Sequence, residues 1–209
     1  MTSPRPSLAG SPGMLRRALQ LALLVVPLAY LIGGRWWAVG IAGAGLLLSG
    51  GFDYLRLRRF PGWSSWTARR LSPLLRKKGA AEPLRTTFQL GAALLVLLAV
   101  PAGAAVPALL WQAAGDAAAG EAGRRWGRHR ILGTKTVEGT VAGLLACLVV
   151  AAPLLALRRL GFGPAEWLVG AAAASVVELL CQEAEDDFLV PVGAAAAVTA
   201  SLWIRAAAG

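Results

Sequence analysis

Residues Val141–Leu157 read VAGLLACLVVAAPLLAL, seventeen positions without a charge. About 20 apolar residues in a helix cross the hydrocarbon of a bilayer, so a run of this length and character predicts a transmembrane span. The same pattern recurs on both sides of it. Apolar blocks cover Ala18–Ile32, Trp36–Gly51, Thr87–Gly103, Ala104–Ala122, Pro164–Cys181 and Phe188–Ile204, which brings the expectation to seven spans. Pro101, Gly103 and Pro107 punctuate the short turn expected between the third and fourth. Composition agrees. The chain has 209 residues, 56% of them hydrophobic and only 15% charged, with a mean hydropathy of +0.59. Ordinary soluble domains carry about 25% charged residues, and one core of this size could not hide so much apolar surface. The predicted fold class is all-α, a polytopic integral membrane protein. Its alanines and glycines suit close small-xxx-small packing of helices, and such faces also admit a homodimer.

Charge placement sets the expected topology. The formal charge of +10 falls between the apolar blocks rather than among aromatics on a soluble face, which speaks against a nucleic-acid partner. With a cytoplasmic N-terminus, 17 Lys and Arg fall inside and only Arg35, Arg158, Arg159 and Arg205 fall outside. One missed helix would put the two basic loops on opposite faces. Residues 1–14 are rich in Pro, Ser and Gly and are expected to be a disordered tail. Residues 15–209 then form a single transmembrane helical domain. No small-residue cleavage site follows Ile32, so the first apolar block is expected to stay as a helix. A basic loop over 55–86 mixes nine cations with Leu55, Phe60, Trp63, Trp66 and Leu71, the composition of an interfacial segment on anionic headgroups. Cys147 and Cys181 lie in apolar blocks and suggest no disulfide framework.

The stretch Gly115–Gly139 reads GDAAAGEAGRRWGRHRILGTKTVEG. Asp116 is an acid within an apolar helix, where a charge costs roughly 2.5–3.5 kcal/mol and marks a functional candidate. Gly120, Gly123 and Gly127 follow it at helical spacing on one face. Such a stripe lets either a neighbouring helix or a phosphate approach. Arg124, Arg125, Arg128, His129, Arg130 and Lys135 make a dense cationic loop ahead of Thr136 and Glu138, at the start of the next helix. Cations beside a helix N-terminus favour anions. Glu138 there either complements the helix dipole or binds a metal. Glu178 is a second acid in an apolar block, and Glu183, Glu185, Asp186 and Asp187 follow in the next inner loop. Hard carboxylate oxygens suit Mg²⁺ together with nucleotide phosphates. Phosphoryl transfer uses that combination of cations, carboxylates and glycines.

These motifs resemble those of the dolichol kinase, phytol kinase and CTP-dependent diacylglycerol kinase family. The resemblance rests on Gly115-Asp116, Gly123 through His129, Lys135-Thr136-Val137-Glu138-Gly139 and Asp186-Asp187-Phe188-Leu189-Val190-Pro191, and it covers about Asp53 to Ala197. It implies a membrane kinase that phosphorylates a polyprenol, a phytol-like alcohol or diacylglycerol, with CTP or ATP as donor and an active site facing the cytoplasm. Asp116, Glu138 and Asp187 would hold Mg²⁺, with Glu178 and Asp186 as further candidate ligands. Lys135, Arg128 and Arg124 would grip the phosphates, alongside Gly120, Gly123, Gly127, His129 and Thr136. Asp116 would accept the hydroxyl proton, within a catalytic set of Asp116, Lys135, Glu138 and Asp187.

Two other readings stay open. Phosphatidate cytidylyltransferases are similar through the Asp116-to-Gly139 core but end in Lys-Arg and Lys-Asp runs followed by Asp-Arg-x-Asp, which this chain lacks. The kinase family usually has Asn after its second Asp, where this chain has Phe188. That departure keeps alive a catalytically degenerate membrane scaffold or transporter.

Overall fold

A computed structural model describes residues 22–58, 84–157, 160–181 and 186–208. The expected tail over 1–14, most of the basic loop over 55–86, and Glu183 and Glu185 lie outside the described residues.

The described residues are helical almost throughout. α1 spans Val25–Gly33 and α2 spans Arg35–Leu57. Gly34 links them at φ 82°, a left-handed backbone that glycine adopts without cost. α3 spans Arg85–Ala99 and α4 spans Ala102–Trp126. The break between them falls at Val100-Pro101, and Pro107 lies inside α4 rather than in the turn. Proline there removes one backbone hydrogen bond near the helix start, where the ladder is only beginning. The guanidinium of Arg35 donates to the Val100 carbonyl and ties the turn to the start of α2.

α5 spans Val137–Ala151 and continues as a 3₁₀ turn over Ala152–Ala156. Pro153 has no N–H for the α-helical ladder, so the chain tightens there. α6 spans Pro164–Leu180 and α7 spans Asp186–Ala208. Asp186 and Asp187 therefore occupy the first turn of a helix, not the loop expected for them, where acids complement the helix dipole.

The loop expected after α4 also differs. α4 continues through Arg124 and Arg125, and a small antiparallel hairpin pairs β1, Arg130–Leu132, with β2, Lys135–Thr136. Gly133 turns it with φ 55°, as a two-residue hairpin turn requires.

α4 is the central helix and packs against α1, α3, α5, α6 and α7. Trp111 on it is fully buried, and its indole N–H donates to the Cys147 carbonyl of α5 at 2.9 Å. Among the described residues, three helices are long and apolar enough to cross a membrane: Arg35–Leu55, Val137–Ala156 and Asp186–Ala208, the second continuing into the 3₁₀ turn. Their outer faces expose Leu47, Leu48, Val149, Trp203 and Ile204. In water such faces would be costly, and in hydrocarbon they are the stable arrangement.

Candidate functional site

Four acids of the apolar helices meet at one end of the fold. Asp116 comes from α4, Glu178 from the last turn of α6, and Asp186 and Asp187 from the first turn of α7. Two cations lie among them. Arg85, the first residue of α3, pairs with both carboxylate oxygens of Asp187, the Nη2 contact being 2.8 Å. The same nitrogen lies 3.2 Å from Asp186 Oδ1 and 3.9 Å from Asp116 Oδ2. Lys135 Nζ lies 3.3 Å from Glu178 Oε1 and 3.6 Å from Asp186 Oδ2. Two amides complete the surroundings of Asp187. Gln89 donates to its carboxylate at 2.8 Å and Gln112 donates to its backbone carbonyl.

Local structure puts each group there. The hairpin turns the chain after α4 so that Lys135 leads directly into α5. Thr136 caps that helix by accepting from Gly139 N at 3.1 Å, the usual use of a threonine at this position. Arg85 is fixed through α2: Asp53, only 4% exposed, accepts from Leu84 N and from Thr87 Oγ1, each at 2.7 Å. Leu84 has no side-chain oxygen to cap α3, and Asp53 supplies one from a neighbouring helix.

A cleft of about 300 Å³ opens beside this cluster. Of the residues singled out in the sequence, Asp116, Gly120, Gly123, Arg124, Lys135, Thr136, Glu178 and Asp186 border it, together with Arg85. Asp187 lies behind Asp186 and faces a much smaller recess with Gln112 and Cys147. Arg124 reaches the rim, paired to Glu121 at 2.6 Å.

The remaining candidates stand elsewhere. Glu138 does not border the cleft. Its Oε2 accepts the backbone N–H of Arg128 at 3.1 Å and of His129 at 3.3 Å, and its Oε1 lies 2.7 Å from His129 Nδ1. Glu138 thus clamps the turn after α4. Arg128 and His129 are exposed on that turn. Among the described residues no three His, Cys, Asp or Glu side chains are gathered as a ready ligand set, because Arg85 and Lys135 stand between the acids.

The glycine stripe divides. A Cβ at Gly139 would meet Ala119 O at 2.9 Å, one at Gly143 would meet the Ala119 side chain at 3.1 Å, and one at Gly127 would meet Thr136 at 2.8 Å. Gly139 and Gly143 let α4 and α5 pack closely, and Gly127 lets the turn after α4 close against Gly123 O and Thr136. Gly120 is different. Only the flexible tip of Arg124, at 3.4 Å, lies near its Cβ position, and its open side faces the cleft.

Reasoning from sequence did not single out Arg85, Gln89, Gln112 or Asp53. Gln89 and Gln112 carried a usable signal, being uncharged polar residues inside apolar blocks. Arg85 carried none that separates it from the other cations of its loop.

No protein-family profile, curated protein or solved structure matches the chain.

Proposed function

We propose that this protein is a membrane lipid-alcohol kinase, transferring the terminal phosphate of CTP or ATP to a polyprenol, a phytol-like alcohol or diacylglycerol. One observation carries the reading: three carboxylates, backed by Asp187, and the two cations that pair with them, from α3, α4, the hairpin, α6 and α7, surround one cleft beside a bare glycine. A cleft bearing only cations would suit any anion, and one bearing only acids would suit any cation. The mixture suits an anion that arrives with a metal.

Mg²⁺ fits the donor set. The oxygens are hard, and four carboxylates against two cations leave a formal charge of −2 for a divalent ion to offset. Asp116, Glu178 and Asp186 would hold the ion, with Asp187 behind them. When bound, it would neutralise charge on the transferring phosphoryl group. Lys135 and Arg124 would bind the phosphates, and Gly120 would let them approach the backbone of α4. Asp116 would take the proton of the attacking hydroxyl.

The membrane arrangement is part of the same proposal. Seven spans with the N-terminus, the cationic turns and the cleft on the cytoplasmic side agree with the distribution of Lys and Arg. The end-to-end contacts support it too: Arg85, Lys135, Glu178 and Asp186 meet at one end, while Arg35 and Arg205 lie at the other.

The deciding experiment is a screen of purified protein in detergent with CTP and ATP against all three alcohol classes, products identified by mass. A lipid phosphate plus nucleoside diphosphate supports the kinase. A CDP-lipid with pyrophosphate points to a cytidylyltransferase instead, and no product from folded protein retires both enzymes.

A further inference from the structure

Among the described residues, Arg85 contacts more of the site's acids than any other cation. Its guanidinium touches three of the four acids, contacts both oxygens of Asp187, and still borders the open cleft. Its backbone is held from outside the site, because buried Asp53 caps the start of α3 through Leu84 and Thr87. The helix cannot slip without breaking those bonds, yet the side chain beyond it has room on the cleft side. A guanidinium is a forked donor that fits carboxylate and phosphate equally well.

We propose that Arg85 is a further phosphate-binding residue of this cleft, stored on the acids until a divalent cation takes its place there. The inference rests on the nucleotide-kinase reading and adds a residue to it. A metal ion and Arg85 compete for the oxygens of Asp186 and Asp116. Once the ion holds those oxygens, the guanidinium stays anchored on Asp187 while its cleft-facing edge is left for the triphosphate that accompanies the ion. Metal and nucleotide therefore bind better together than apart, since each removes the other's competitor.

The test measures two bindings that a purely structural arginine would not drive in opposite directions. Full-length protein in detergent is titrated with Mn²⁺ alone, followed by electron paramagnetic resonance, and with a non-hydrolysable CTP analogue in saturating Mg²⁺, followed by calorimetry. Arg85→Gln should bind Mn²⁺ several-fold more tightly than the wild type and the analogue about tenfold more weakly, the loss expected for one charge-assisted contact. Arg85→Lys keeps the charge and guards against loss of the fold. It should leave Mn²⁺ affinity near wild type and weaken the analogue several-fold, because the fork is gone. Equal analogue binding by wild type and both variants overturns the role of Arg85 and leaves the kinase reading standing. A fall in both affinities marks a structural ion pair and likewise overturns it. A wild type that binds neither CTP nor ATP analogues overturns this inference and the kinase reading together.

Discussion

Two of the buried acid sites among the described residues, at opposite ends of the fold, are built on opposite plans. At the far end Glu166 is fully buried at the start of α6. It accepts from Gly163 N at 2.9 Å and from Arg205 Nη1 at 2.9 Å, with Ser201 Oγ at 3.4 Å. Arg205 also donates to Gly161 O at 2.6 Å. One charge meets one charge, and the leftover lone pairs and N–H groups find partners in a loop and a hydroxyl. At the near end four acids share two cations, and three of the acids face a cleft. A site built only for stability closes on itself, as the Glu166 cluster does. The near-end cluster leaves charge and space unfilled, and that surplus is what a ligand would use.

Variants at the two ends should therefore fail in different ways. The largest effect is expected at Asp116. Asp116→Asn should lower turnover by at least about a hundredfold, the usual contribution of a positioned base, while expression and melting temperature stay near wild type. Unchanged turnover in the product assay would remove Asp116 from the chemistry. At the far end the pattern reverses. Arg205→Ala leaves the Glu166 carboxylate buried with a backbone N–H and a hydroxyl as its remaining partners. Losing one member of a buried pair costs about 3–5 kcal/mol, and the half-exposed Arg205 side chain puts this case nearer 2–3 kcal/mol. Thermal unfolding in detergent should record that loss, with KM for the nucleotide unmoved. A shifted KM at matched folded fraction would mean that the two ends communicate.

The glycines on α4 and α5 offer a smaller contrast of the same kind. Gly139→Ala drives a methyl toward the Ala119 carbonyl. Overpacking costs typically 1–3 kcal/mol, and the gain in helix propensity of about 1 kcal/mol offsets only part of it. Gly120→Ala meets only the movable tip of Arg124. It should raise stability by a few tenths to about 1 kcal/mol while weakening nucleotide binding, because the methyl enters the cleft. Paired melting and binding curves read both signs. If the two variants behave alike, the division of the stripe into packing and cleft positions is wrong.

The sequence carried the helical character and the acids of the site, and it carried them for one reason. A charge in an apolar block is conspicuous, so Asp116 and Glu178 could be picked out before any neighbour was known. The glycine stripe was half readable. Helical spacing puts Gly120, Gly123 and Gly127 on one side of α4, but which of them meets α5 depends on how the two helices rotate against each other. Arg85 was hidden by its company, since its loop holds many cations and only the Asp53 cap distinguishes it. Pro107 misled the expected start of the fourth span, because a proline early in a helix and a proline in a turn look alike in one sequence. The Lys135 hairpin was hidden too. Three residues paired with two are too few for any periodicity to register.

The smallest effect is expected at Glu138, where motif and geometry point in different directions. The family resemblance puts this residue in the metal set. Its carboxylate instead holds two backbone N–H groups of the turn after α4, beside the half-free ring of His129. Glutamine keeps an acceptor oxygen for those N–H groups but loses the charge that a metal needs. Glu138→Gln should therefore cost less than about tenfold in kcat/KM, and much less than Asp116→Asn, because at most one charge-assisted contact is weakened. His129→Ala should cost less still, since that ring is 77% exposed and donates to nothing in the cleft. A loss at Glu138→Gln equal to that at Asp116→Asn would return Glu138 to the metal. It would also require the turn to swing in when nucleotide binds, bringing Arg128 with it.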